Sequence, residues 1–117
     1  MQSDEDQIRA LLNDEAHALV MRTLGKKRLE SGDYAKVITV SFDTVVNYLL
    51  TNCSINDIAA TRESREDGYY ALPKVDSWIV YYQEKGCDFD RDISRSEKEV
   101  FSHFTKTCLR IKPDPET

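Results

Sequence analysis

The stretch SWIVYYQEKG, residues 77–86, decides the fold of this chain. Its bulky side chains alternate, as they do in a β-strand whose successive residues point to opposite faces. One face would carry Trp78, Val80 and Tyr82, and the other would carry Ile79 and Tyr81. Because both sets are bulky, we expect both faces of the strand to be covered.

Two further strands are predicted beside this one. Residues 69–72 form a strand that Pro73 interrupts, and a weaker strand covers 87–93 after a turn at Lys85 and Gly86. In the weaker strand, Cys87, Phe89 and Ile93 all have odd numbers, so a regular strand would present them on one face. A three-stranded antiparallel sheet is marginal by itself, so helices should cover the face that carries Val80.

The N-terminal third predicts a helix from Ser3 to Gly25. Ser3 can cap the helix, the next three residues are acidic, and apolar residues recur at helical spacing. Residues 34–50 predict a second helix, which would form a helical hairpin with the first. The β-branched run at 36–40 leaves an alternative open, in which these residues form a strand and a helix then begins at Ser41 or Asp43.

The last helix is marked by Ser96 and Glu99, which match a capping box, and Pro113 is predicted to end it. Residues 52–57 are predicted to be a helix end and a loop, and 113–117 a polar tail. The fold class is therefore α+β: an N-terminal helical hairpin, a small antiparallel three-stranded sheet and a C-terminal helix, in a single domain over 1–112.

The chain has 117 residues, a net charge of -5 and a pI of about 5.0. Such acidity argues against nucleic acid and anionic membranes as partners, and it is compatible with a basic protein partner. The N-terminus is polar and no apolar run approaches membrane-spanning length, so we expect a cytoplasmic protein. The three cysteines, Cys53, Cys87 and Cys108, show neither a disulfide pattern nor a zinc pattern.

Catalytic patterns are missing from the sequence. The two histidines, His17 and His103, lie in predicted helices, and no phosphate-binding glycine loop or nucleophile motif is present. A pairing of Cys108 with His17 remains open, although no local motif supports it. We therefore predict a protein that is not an enzyme and that uses no cofactor.

Three carboxylates, Asp88, Asp90 and Asp92, occupy alternate positions of the third strand, so a regular strand would present them on one face. The segment lacks the glycine turn of a calcium loop, and Glu99 is better explained by the helix cap, so we predict no metal site. Such a charged face can protect an edge strand from pairing, or it can dock a basic partner.

The tyrosines suggest a contact surface beside these carboxylates. If the strands alternate, Tyr81 and either Tyr69 or Tyr70 should point outward. Exposed tyrosine next to charged residues is typical of protein-binding hot spots. The predicted partner-binding residues are Tyr81, Glu84, Asp88, Asp90 and Asp92.

The second half of the chain resembles a known group of proteins. Residues 78–86, WIVYYQEKG, followed by 96–104, SEKEVFSHF, resemble small immunity proteins of bacterial polymorphic-toxin and contact-dependent growth inhibition systems. The resemblance covers about residues 69–109. It implies a non-enzymatic protein that binds and blocks one toxin domain, frequently a nuclease, in the cytosol, and it carries over no functional residue.

Three hypotheses follow. The first is an immunity protein that binds a cognate toxin domain through its acidic residues. The second is an adaptor or regulatory subunit that binds a protein through exposed apolar residues of 8–24 and 34–50 in the helical hairpin. The third is a small enzyme that uses His17 or His103.

Overall fold

The structure, a computed structural model, describes residues 3–113 and confirms the α+β class. The elements are α1 (Asp4–Leu12), α2 (Ala16–Leu24), α3 (Asp33–Val37), α4 (Phe42–Asn52), α5 (Ile55–Ile58), β1 (Gly68–Pro73), β2 (Trp78–Glu84), β3 (Cys87–Ser94) and α6 (Glu97–Thr107). N-terminal helices, an antiparallel sheet of order β1-β2-β3 and a C-terminal helix follow the predicted order. Positions 114–117 of the predicted polar tail lie outside the described residues.

All three predicted strands are present, with β2 in the centre. Tyr70 pairs with Tyr81 across β1 and β2, and Trp78 pairs with Ser94 across β2 and β3. The two-residue loop between β2 and β3 has positive φ at both positions, 51° at Lys85 and 81° at Gly86. These angles match the type I′ turn, whose twist suits an antiparallel hairpin.

The main hydrophobic core lies between the helices and one face of the sheet. Val80 is fully buried there, and Trp78 packs against the same cluster, as the alternation of β2 predicts; Tyr82 is half-buried. The helices contribute buried side chains from α1, α4 and α6, among them Ile8, Val45, Val46, Leu49, Val100 and Phe101. The helices thus supply the second layer that a three-stranded sheet requires.

The prediction of one continuous N-terminal helix was wrong. α1 ends at Leu12, and α2 begins at Ala16 after a left-handed residue, Asp14, at φ 58°. Asn13 and Asp14 favour this break, because short polar side chains tolerate left-handed backbone and compete for its hydrogen bonds. Ser3 does cap α1, accepting a hydrogen bond from Asp6 N at 3.1 Å.

The second predicted helix is also divided. α3 ends at Val37, and α4 begins after Ser41, whose side chain accepts from Thr44 N at 3.2 Å. The start at Ser41 agrees with the alternative interpretation, but residues 36–40 join no strand. The Oε1 atom of buried Gln7 accepts from Thr39 N at 2.7 Å and from Val40 N at 2.9 Å, so a side chain from α1 satisfies this extended backbone.

Three smaller expectations need correction. The predicted helix end at Asn52 is confirmed, but the short helix α5 begins at Ile55, within the predicted loop. α6 ends at Thr107, well before Pro113, and Arg110 then takes a left-handed φ of 58°. Ser96 caps α6 through Glu99 N at 3.2 Å, but the Glu99 carboxylate accepts from Arg95 N at 2.7 Å, one residue before the position that a capping box uses.

Candidate protein-binding surface

The third strand, β3, forms an open edge of the sheet. Its residues are exposed from Cys87 to Ile93, and no described strand lies on its far side. The opposite edge, at β1, is covered by Ala60, which forms a bridge with Tyr70. We define the acidic surface as the exposed side chains of Glu84, Asp88, Asp90, Asp92 and Phe89.

A β-bulge interrupts β3 in the middle of the acidic surface. Tyr82 pairs with Phe89 whereas Val80 pairs with Asp92, so Tyr81 stands opposite two residues, Asp90 and Arg91. Asp90 has a φ of 55°, in the left-handed region that disfavours residues with a Cβ atom. Aspartate is among the residues that tolerate this region best.

The bulge changes which way the carboxylates point. Asp88 pairs with Gln83 and so shares the sheet face of Tyr81, whereas Asp92 pairs with Val80 and shares the face that the helices cover. The prediction that the aspartates lie on one face was therefore wrong. The extra residue at the bulge shifts the alternation of the side chains. It also places the apolar residues of β3, which a regular strand would present together, on different faces of the sheet.

Tyr81 does not belong to the exposed surface. It is only 4% exposed and stacks on Tyr70, with ring centroids 5.1 Å apart and planes 12° apart. The guanidinium of Arg91 lies 5.1 Å from the Tyr81 ring on the same face of the sheet. Tyr69 and Tyr70 are buried as well, so the prediction of an outward tyrosine was wrong.

The charged segment 61–67, here called the covering segment, explains this burial. The Tyr70 hydroxyl donates to Glu66 O at 2.6 Å and lies 2.6 Å from Ser64 Oγ. Gln83 Nε2 donates to Ser64 O at 2.9 Å and to Glu66 O at 3.0 Å. Side chains of the sheet thus hold a polar loop over the two stacked tyrosines, and the second face of the sheet is covered without a second layer of helices.

Helix α6 reaches the bulge through His103. The Nε2 atom of His103 lies 2.5 Å from the carbonyl oxygen of Asp90, and Nδ1 lies 2.7 Å from the Tyr69 hydroxyl. Both His103 and Tyr69 are buried. Because both ring nitrogens have partners inside the protein, this histidine is part of the fold as well as a neighbour of the acidic surface.

The acidic surface keeps most of its negative charge. Arg91 Nη1 pairs with Asp88 Oδ2 at 2.6 Å, and Asp92 Oδ1 accepts from its neighbour Ile93 N at 2.8 Å. Across residues 3–113, the remaining salt bridges involve Glu5 and Asp33 rather than this surface. Exposed ion pairs stabilise little, so the Arg91 pairing orients Asp88 more than it stabilises the fold.

Phe89 is a candidate contact residue that the sequence did not indicate. It is 49% exposed, and aspartates precede and follow it. Ile93, at 56% exposed, is a second large apolar side chain on the same strand. The local sequence gave no signal for this exposure, because an apolar residue between two charged ones is also the pattern of a strand with one buried face. An exposed aromatic residue inside a charged rim is the composition of an interface anchor.

The residues of the enzyme hypothesis do not form an activated nucleophile. Burial raises the pKa of the Cys108 thiol to about 12, so the thiol is protonated and unreactive near neutral pH. His17 is exposed on α2, whereas the ring nitrogens of His103 are hydrogen-bonded to Tyr69 and Asp90. Over the described range, no group of three or more potential ligand side chains is placed to hold a metal ion.

Comparisons with protein-family models, curated proteins and solved structures give no match to this chain. Within residues 3–113, no helix combines the length and the apolar character needed to cross a membrane.

Proposed function

We propose that this protein is a cytoplasmic immunity protein that binds a cognate toxin domain and blocks its active or substrate-binding surface. The observation that carries the proposal is the exposed β3, which presents carboxylates on both sides of a bulge with exposed Phe89 among them. A nuclease toxin reserves basic side chains for phosphates, and carboxylates can occupy the same positions. The resemblance of residues 69–109 to immunity proteins supports the same proposal.

The features of β3 also favour side-chain docking over strand addition. Charged residues and a bulge are the devices by which proteins keep edge strands from pairing with other strands. In β3 the bulge contains Asp90 in a left-handed conformation, and the carbonyl oxygen of Asp90 is hydrogen-bonded to His103. A partner would therefore meet the carboxylates and Phe89 rather than extend the sheet.

The first experiment is a pull-down from the native lysate with the tagged full chain, released by rising salt and identified by mass spectrometry. We expect one stoichiometric partner with a basic domain. The purified pair is then compared with the double variant Asp88→Lys/Asp92→Lys, chosen because neither position has positive φ. Close interfacial charge pairs couple strongly, so affinity should fall at least about 100-fold.

A matched control keeps the same change in net charge. The double variant Asp4→Lys/Glu15→Lys reverses two exposed carboxylates at the N-terminal helices, far from β3 in the sequence. We expect its affinity to stay within about threefold of the unaltered protein, because rim and remote charges act mainly through screened long-range attraction. Equal losses for both double variants would remove β3 from the interface, and the absence of any toxin partner would overturn the function.

One observation favours the adaptor as a second candidate. A groove of about 610 Å³ runs between the N-terminal helices and the segment after α6, and its lining is largely apolar. Tyr34, at its edge, is 42% exposed. An adaptor that binds here would lose affinity with Tyr34→Ala and would respond little to salt, whereas the immunity protein would respond strongly to salt and little to Tyr34→Ala.

A further inference from the structure

A polar groove lies where α6 meets the bulge of β3. Its volume is about 360 Å³, and it is lined by Asp90, Arg91, Asp92, His103, Lys106 and Thr107. Two residues of the acidic surface thus form one wall of a concave site, and His103 forms part of the opposite wall. The shape of the bulge decides where these two carboxylates stand.

His103 is well placed to hold that shape. Its Nε2 atom is 2.5 Å from the Asp90 carbonyl oxygen, and its Nδ1 atom is 2.7 Å from the Tyr69 hydroxyl. Tyr69 in turn packs edge-on against Phe104, with ring centroids 5.2 Å apart. The imidazole is therefore fixed from behind by the core, and only 7% of His103 is exposed.

The chemistry of the acceptors decides which group donates each of the two hydrogen bonds of His103. A carbonyl oxygen only accepts, so the hydrogen at Nε2 of His103 must point to Asp90. In the neutral ring, Nδ1 is then the acceptor, and the Tyr69 hydroxyl donates to it. The neutral ring therefore carries its hydrogen on Nε2, and the Tyr69 hydroxyl, whose 2.7 Å contact with Nδ1 is the shorter one, keeps only a 3.4 Å contact with the carbonyl oxygen of Val100.

We infer that His103 is a positioning residue for the acidic surface, since it holds the Asp90 carbonyl and with it the bulge. A strand that lost the extra residue would shift its alternation by one, and every side chain beyond that point would change faces. Asp92 and Ile93 would then exchange faces of the sheet. The inference rests on the proposed function in one respect: it takes the acidic surface to be the surface that binds the toxin domain.

Two substitutions separate this role from a general structural one. In His103→Gln, the side-chain amide nitrogen falls near the former Nε2 position and keeps the hydrogen bond to Asp90. In His103→Asn, the shorter amide reaches only the Nδ1 position and keeps the contact with Tyr69. Both variants remove the ring from the core and each keeps a different hydrogen bond, so amide exchange measured at the bulge itself reports the bond to Asp90 rather than the contact with Tyr69.

The readout is amide hydrogen exchange of residues 90–92 in the full-length protein, followed by NMR. In His103→Asn we expect exchange about 3- to 10-fold faster than in the unaltered protein, the effect of one lost hydrogen bond on local opening. In His103→Gln the rates should stay within about twofold. Equal rates in the two variants, or no change in either, would overturn the inference.

A measurement on the unaltered protein covers the case in which His103→Asn does not fold. Nitrogen-15 spectra of the imidazole at pH 8 should show the hydrogen on Nε2, and a hydrogen on Nδ1 alone would overturn the inference. Neither measurement needs the toxin. Failure of the pull-down would therefore remove the proposed function and leave the role of His103 in shaping β3 to be decided separately.

Discussion

Asp90 gives the sharpest prediction. Alanine variants are usually more stable than glycine variants, and the left-handed backbone of Asp90 should reverse that order of stability. With φ at 55°, a Cβ atom costs about 1–2 kcal/mol at this position. Glycine avoids that cost but loses roughly 0.4–1 kcal/mol through the greater freedom of the unfolded chain. The free energy of unfolding should therefore be about 1 kcal/mol higher for Asp90→Gly than for Asp90→Ala.

Asp88, two residues away on the same exposed strand, supplies the control. Its φ is not positive, so only the unfolded-state effect applies, and Asp88→Gly should be about 0.5–1 kcal/mol less stable than Asp88→Ala. All four variants remove one carboxylate from the acidic surface, so the change in charge is common to them. The sign of the glycine-to-alanine difference should thus be opposite at the two positions.

Urea unfolding, followed by the fluorescence of Trp78, measures these differences directly. A difference of about 1 kcal/mol corresponds to roughly 4 °C in Tm for a domain of this size. If Asp90→Ala equalled or exceeded Asp90→Gly in stability, Asp90 would not occupy the left-handed region, and the bulge at the centre of the acidic surface would be refuted.

Three further predictions test the covering segment, a partly buried ion pair and the core. Tyr70→Phe removes the hydroxyl that holds the segment 61–67, so trypsin should cleave at the arginines of this segment roughly 5-fold faster; unchanged cleavage would mean that the hydroxyl does not retain it. Hydrogen bonds from Glu30 N and from Lys26 lower the pKa of Asp33 to about 2, so its stabilising effect is complete above pH 3.8 and disappears as the pH falls towards 2. The Tm difference between the unaltered protein and Asp33→Asn should shrink over that interval, and a constant difference would contradict it. Phe101→Ala opens a cavity at a fully buried site and should lower the free energy of unfolding by about 3–5 kcal/mol in urea, whereas a loss below about 1 kcal/mol would contradict the packing of α6 on the sheet.

The sequence predicted the elements whose signals are local. The alternation of β2 and the Lys85–Gly86 turn gave the strands, and the polar caps Ser3 and Ser96 gave the starts of α1 and α6. It failed where a distant group supplies hydrogen bonds to the backbone. The chain leaves the helical conformation at residues 38–40 because Gln7, more than thirty positions earlier, satisfies the amides there.

The candidate site also has features that the sequence predicted and features that it did not. The sequence by itself determined the number of carboxylates around β3 and the presence of an edge strand, because charge and alternation are properties of the residues and their order. Only the tertiary structure decided which side chains a partner can reach. Tyr81 is buried because it stacks on Tyr70, whose hydroxyl holds the segment 61–67. The aspartates point to different faces because a bulge, hydrogen-bonded to His103 on another element, shifts the register. Both effects arise from contacts between residues far apart in the chain, which local periodicity does not encode.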